Sequence, residues 1–186
     1  MERVERQDFE NGFDPLLAEH GRALGIDPVC STSRWACAAA DAFAPEARPR
    51  IYQLASGMVA LLEHDNPRGP VLTGFDTLWG FSVPLIGPDP DALVTEVVEE
   101  LLPTIPHHAL AVAGVPVQGS LLDALVRQSP AGFTGSADRC VADLSHGFDA
   151  WLERRSSRFR RSLRVAATGA EAVSYTHLTL PTTPYV

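Results

Sequence analysis

The chain has 186 residues, 45% hydrophobic and 20% charged, which excludes a disordered or fibrous polypeptide and leaves one soluble globular domain as the expectation. Arginine supplies all 15 basic residues against 23 acids, a formal charge of -8 that excludes a nucleic-acid binder acting through its total charge. The longest nearly apolar runs, "LWGFSVPLIG" and "ALAVAGVPV", fall far short of the roughly 20 residues that span a bilayer, and the charged start "MERVERQDFE" lacks the apolar core of a secretory signal, so the expected location is cytoplasmic.

Residues 1–12 are acidic with little apolar content and read as a loose N-terminus. "FDPLLAEHGRAL" predicts a helix over 13–24, with Asp14 as N-cap, Pro15 in its first turn and Gly25 as its stop. In "STSRWACAAADAFA" the residues from Ser31 to Ser33 offer caps, and Trp35, Ala39 and Phe43 recur at helical spacing on one apolar face. "RIYQLAS" and "GMVALLEHD" read as two strands joined at Ser56-Gly57, and "NPRGP" is a turn. "LWGFSVPLIG" predicts a third strand ending at Gly87-Pro88. Asp89 then starts the helix "DPDALVTEVVEELL", whose faces are marked by Leu93, Val97 and Leu101 against Glu100, and Pro103 limits it. The alternation continues with strand "HALAVAGV", helix "SLLDALVRQ" capped by Ser120, and strand "DRCVADLS". Strands alternating with helices predict an α/β domain with a mixed sheet flanked by helices, the antiparallel pair coming first.

The last helical stretch, "FDAWLERRSSRFRRSLRVA", places Phe148, Leu152, Phe159 and Leu163 on one stripe with Trp151 beside it, and arginine on the opposite face. Residues 151–172 hold six arginines against two acids, a net charge of +4, whereas the first 150 hold nine arginines against twenty-one acids, a net charge of -12. Ser156 or Ser157 is placed to cap a second helix, so the stretch reads as one helix or as two meeting at a bend. From Val173 onward arginine, acid and glycine disappear. There "VSYTHLTLPTT" resembles the in-frame translation of a transposase-type sequencing adapter, so residues 173–186 are set outside the fold, and Ser174, Tyr175 and His177 receive no functional weight.

Few residues form a chemical constellation. Cys30, Cys37 and Cys140 are odd in number and lack a C-x-x-C pair, which predicts buried inert thiols rather than a disulfide framework or a zinc site. His107 and His108 are neighbours in a strand, where they point to opposite faces, and read as surface residues rather than a metal pair. Ser145-His146 reads as a turn and cap, and Asp76, Asp89 and Asp91 as carboxylates at turns and helix starts. "GVPVQGS" has the wrong spacing for either a dinucleotide or a Walker loop. No metal site and no catalytic residue is assigned. Arg158, Arg160, Arg161 and Arg164 remain as candidate substrate or anion contacts, because guanidinium forks match phosphate oxygens; the alternative is a solvated face paired with the acidic body.

"STSRWACAAADAF", the strand pair, "FSVPLIGPDPDALVTEVVEELL" and above all "FDAWLERRSSRFRRSLRVA" resemble the first half of a GNAT-superfamily N-acyltransferase of the FemAB-like, cellulose-biosynthesis-associated type, over residues 28–168. Such proteins have two successive GNAT-like halves, and "R-S-x-x-F-R-R-x-L-R" resembles the start of the second, catalytic one. The resemblance implies a GNAT-like domain over 13–146, an arginine-rich helical opening of a catalytic half over 147–172, and the remainder of that half beyond this chain. It also implies acetyl-CoA or another acyl-CoA as donor and a small-molecule or peptide amine as acceptor. The family's R/Q-x-x-G-x-G/A donor loop, which lies at a helix N-terminus where N–H groups receive pyrophosphate, does not occur here. No donor-binding or catalytic position therefore carries over, and the chain is expected to be inactive alone, with its apolar stripe exposed. The competing expectations are a binding module whose arginine helix docks on nucleic acid or an acidic partner, and a structural domain without a ligand.

Overall fold

The computed structural model describes residues 1–76, 79–130, 132, 134–138 and 142–172, with side chains described as far as 169. It divides into two units, Met1–Ser136 and Ala137–Val186.

The first unit opens with strand β1 (Glu2–Val4) and helix α1 (Arg6–His20), followed by helix α2 (Ser33–Phe43) and strands β2 (Arg48–Gln53), β3 (Met58–His64), β4 (Val71–Thr73) and β5 (Leu85–Ile86). Helix α3 (Pro90–Thr95) runs on through a π-helical segment, Glu96–Leu101, and a 3-10 turn, Leu102–Thr104, before strand β6 (Ala109–Ala111) and helix α4 (Ser120–Gln128). The sheet order is β1-β2-β3-β4-β6, with β5 also on β3; among the described residues β4 and β6 alone run parallel. The molecule is thus a mixed α/β protein whose mixed sheet is flanked by helices. Its antiparallel part comes first in the chain, as the alternation of elements predicts.

Strand β3 is the centre of the core. Its residues from Met58 to Glu63 are all buried, and since neighbouring side chains point to opposite faces, both faces of this strand are covered. Helix α1 supplies Phe9, Phe13 and Leu17, and the α3 segment supplies Leu93, Val94, Val97 and Leu101. Each such side chain stabilises the fold by about 1.5–3 kcal/mol on burial.

The N-terminus is not loose. β1 pairs with β2 through Glu2–Gln53, Arg3–Tyr52 and Val4–Ile51, and α1 begins at Arg6 rather than at Phe13. Phe9 precedes Phe13 and Leu17 at four-residue steps, so one apolar stripe carries the helix across a segment whose acids face outward. Asp14 and Pro15 consequently lie inside α1, not at its start. The Asp14 carboxylate instead accepts from the backbone N–H of Ser33 at 2.7 Å and the Ser33 hydroxyl at 2.9 Å, tying α1 to the start of α2. The helix ends at His20, and Gly25 serves the turn that follows, with φ +69°.

Thr32 caps α2 by accepting from Trp35 N–H, within the expected capping run. The face of α2 that reaches the core, however, is Ser33, Ala36, Ala39 and Ala40. Trp35 and Phe43 lie instead against Trp79, with ring centroids 5.7 and 4.9 Å away. The β2–β3 hairpin matches expectation. The long third strand does not: Leu78 lies outside the described residues, and of residues 79–87 only Leu85–Ile86 is strand, preceded by Pro84, which has no N–H for a ladder; the short β4 comes before it. Helix α4 has the expected bounds, although Gly119 rather than Ser120 is its N-cap. Of the strand expected over 138–145, residues 139–141 lie outside the described residues, and no strand covers 138 or 142–145; Asp143 there accepts from Ser145 N–H in a turn.

The second unit consists, among the described residues, of helices α5 (Gly147–Glu153) and α6 (Ser157–Ala172). They are two helices rather than one. The Ser156 hydroxyl accepts from Phe159 N–H at 3.2 Å, capping α6 and fixing the bend.

Candidate functional site

The arginine stripe lies on α6, with Arg154 and Arg155 in the turn between α5 and α6. The bend brings the apolar sides of the two helices together: Trp151 stacks on Phe148 with centroids 5.6 Å apart, and Phe159 meets it edge-on at 5.8 Å. Phe148 and Phe159 still remain 51% and 43% exposed, and Leu152 and Leu163 are half-buried. The Trp151 indole N–H is buried without a hydrogen-bond partner among the described residues.

Around this cluster the arginines form no ion pair among the described residues. Arg154 donates to the carbonyl of Asp143 and Arg160 to that of Glu153, while the Arg155 guanidinium lies 4.6 Å from the centre of the Trp151 ring. Arg160 thus complements the C-terminal carbonyls of α5 and the negative end of its dipole. Arg158, Arg161 and Arg164 are exposed. Of the four candidate anion contacts, Arg160 is therefore partly engaged within the unit, and the other three are open to an anion.

The other candidates are structural. The Asp89 carboxylate accepts from Asp91 N–H at 3.0 Å and Ala92 N–H at 3.3 Å, and Asp91 in turn takes hydrogen bonds from Arg127 and Gln128 of α4. Asp76 is buried and accepts from Trp79 N–H, Phe81 N–H and the Trp35 indole, so it organises the loop after β4. His107 bonds the carbonyl of Ile105, while His108 uses its backbone N–H on Pro70. No group of three or more His, Cys, Asp or Glu is arranged for a metal among the described residues. Ser145 lies in a turn, and His146 occupies the N-cap position of α5. Cys30 and Cys37 are half-buried rather than buried, and Cys140 lies outside the described residues. Burial pushes the Cys37 thiol up, against the Arg6 guanidinium that donates to its sulfur at 3.3 Å.

Two charged clusters escape sequence reasoning because strand register and helix packing create them. Glu63, buried on β3, receives Arg50 Nε and both Nε and Nη2 of Arg48, and Arg48 also reaches Asp65. The Arg50 hydrogen bond, aided by Arg48 and opposed by desolvation, holds the Glu63 carboxyl below the ordinary range. Arg6 grips Asp41 through two nitrogens at 2.6 and 2.7 Å, at the mouth of a cavity of about 200 Å³ whose lining includes Ala40, Leu62 and Phe75. A third carboxylate, Glu96, fastens the β2–β3 turn. Desolvation alone would raise it, but the Ser56 hydroxyl and the N–H groups of Ala55 and Ser56 bring it below its ordinary value.

Comparison of the chain with protein-family models, curated proteins and solved structures finds no match. No helix among the described residues is long and apolar enough to cross a membrane.

Proposed function

We propose that residues 1–136 are the supporting, non-catalytic half of a GNAT-type N-acyltransferase and that α5 and α6 open the half that holds the acyl-CoA donor. The activity of the whole protein is then attack of an amine on the donor's thioester carbonyl. A C–N bond forms, the C–S bond breaks, and the amine proton leaves with the CoA thiol.

The occupied N-terminus of α3 is the observation in favour of this division of labour. A GNAT donor site needs a helix N-terminus whose N–H groups are open to pyrophosphate. At α3 two of those groups are bound to the Asp89 carboxylate, and Asp91 adds a second negative charge in the first turn. Such a terminus repels a diphosphate. The mixed sheet, with its parallel pair last, is consistent with the architecture that the resemblance implies.

Calorimetric titration with acetyl-CoA tests the reading. No binding heat is expected from residues 1–172, and micromolar or tighter binding is expected from the product of an uninterrupted reading frame that continues past Ala172. Tight binding by residues 1–172 would refute it. A second reading, a non-enzymatic module that holds nucleic acid or an acidic partner on α6, draws on the absence of ion pairs at Arg158, Arg161 and Arg164 among the described residues. Salt-dependent retention on DNA that vanishes when these three and Arg160 become alanine would favour it.

A further inference from the structure

We propose that the cavity beside the Arg6–Asp41 pair is a binding site for a small, uncharged aromatic molecule that carries one hydroxyl donor; this does not depend on acyl transfer. The cavity, of about 200 Å³, is lined by residues of the first unit. Its floor is the apolar core: Ala40 of α2, Leu62 of β3 and Phe75, all buried. Asp41 and Pro45 are exposed and Arg6 is half-exposed, so the cavity opens at the rim that these three form.

Sequence and packing keep this space from closing. Where larger side chains would fill it, the wall carries Ala44 and Ala47 between α2 and β2, and Pro49 on β2 itself. Proline fixes φ, which stiffens that wall. Arg6 donates to both oxygens of Asp41 and to the carbonyl of Cys37, which fastens the start of α1 to α2 at the rim. A concavity held in this way is formed before any ligand arrives, as small-molecule sites usually are.

Size and charge select the occupant. An apolar cavity of about 150 Å³ takes benzene, whereas pockets for drug-sized ligands start at about 300 Å³. A volume of about 200 Å³ therefore suits one ring with one small substituent and is too small for an acyl-CoA or a nucleotide. Arg6 and Asp41 neutralise each other at the rim, so neither an anion nor a cation is favoured there. Both Asp41 oxygens already accept from Arg6, and each keeps a lone pair for a further donor. A phenolic hydroxyl at the rim uses one of these while its ring lies against Leu62 and Phe75.

Isothermal titration calorimetry of the full chain with phenol, benzene and benzoate tests the proposal. Phenol should bind with a millimolar or tighter dissociation constant. Benzene, which offers Asp41 no hydrogen bond, and benzoate, which brings a second carboxylate to the rim, should each bind about tenfold more weakly or worse. Ala40→Leu fills the floor of the cavity and should abolish the phenol heat, with a cooperative urea transition as the check that the variant is folded. If overpacking prevents folding, Ala47→Leu in the wall carries the same expectation. The proposal is overturned by an absence of phenol binding, by phenol binding that persists in the folded variant, or by benzene or benzoate binding as tight as that of phenol.

Discussion

The two units differ in how far their arginines are ion-paired. In Met1–Ser136, Arg6 is paired with Asp41, Arg48 and Arg50 with Glu63, and Arg127 with Asp91. In the second unit the six arginines, Arg154 and Arg155 in the turn and four on α6, form no ion pair among the described residues. The same side chain is a clamp between elements at these four positions of the first unit, while Arg22, Arg34 and Arg68 are exposed there, and it forms an open positive surface in the second. Experiments that break the clamps should therefore change stability, whereas removing the open charges should change only binding.

The largest effect is expected away from charge altogether. Phe9 is buried against Phe13 and Phe75, with ring centroids 5.0 and 5.4 Å away, and anchors the start of the chain in the core. Phe9→Ala should lower unfolding free energy by about 3–5 kcal/mol in urea denaturation. A loss below about 1 kcal/mol would show that the N-terminal segment is no part of the core.

Glu63→Gln comes next. It leaves Arg48 and Arg50 facing a neutral amide, but both are partly exposed and relax into water, so a loss of about 1–2 kcal/mol is expected rather than the 3–5 of a fully buried pair. The pH dependence has a definite sign. A carboxyl held below its ordinary value of 4.5 in the folded state contributes stability that is fully present above about pH 4.5 and is lost as pH falls through the lower, folded value. Acid titration of the unfolding midpoint should accordingly be shallower in Glu63→Gln than in the parent; parallel curves would remove Glu63 from the account. Asp14→Ala should cost about 1 kcal/mol, because it removes the acceptor of both the Ser33 N–H and its hydroxyl.

What could be foreseen from the residues follows the same division between local and long-range causes. The bounds of α4, the Asp89 start of α3 and the β2–β3 hairpin depend on caps, turns and nearby periodicity, and all were legible. β1 was not, because only its pairing with β2, some fifty residues later, makes Glu2–Val4 a strand. The Glu63 cluster was hidden for a related reason. Arg48 faces Glu63 across the hairpin and Arg50 lies on the diagonal, so the cluster exists only in that register. On α6 the arginine stripe was legible from its spacing. That its arginines form no ion pair among the described residues was not, since spacing along one helix does not say which carboxylates lie beside it.

The smallest expected effect is also the sharpest contrast. The variant with Arg158, Arg161 and Arg164 all changed to alanine should keep its unfolding free energy within about 0.5 kcal/mol of the parent. These side chains are exposed and form no ion pair among the described residues, and alanine is the better helix former, so little is lost and helix propensity gains slightly. Substituting Arg50 with alanine instead strips the buried Glu63 of one of its two cationic partners and should lower stability measurably. If the α6 variant proves the more destabilised of the two, its arginines are structural after all, and the contrast between clamp and open surface fails.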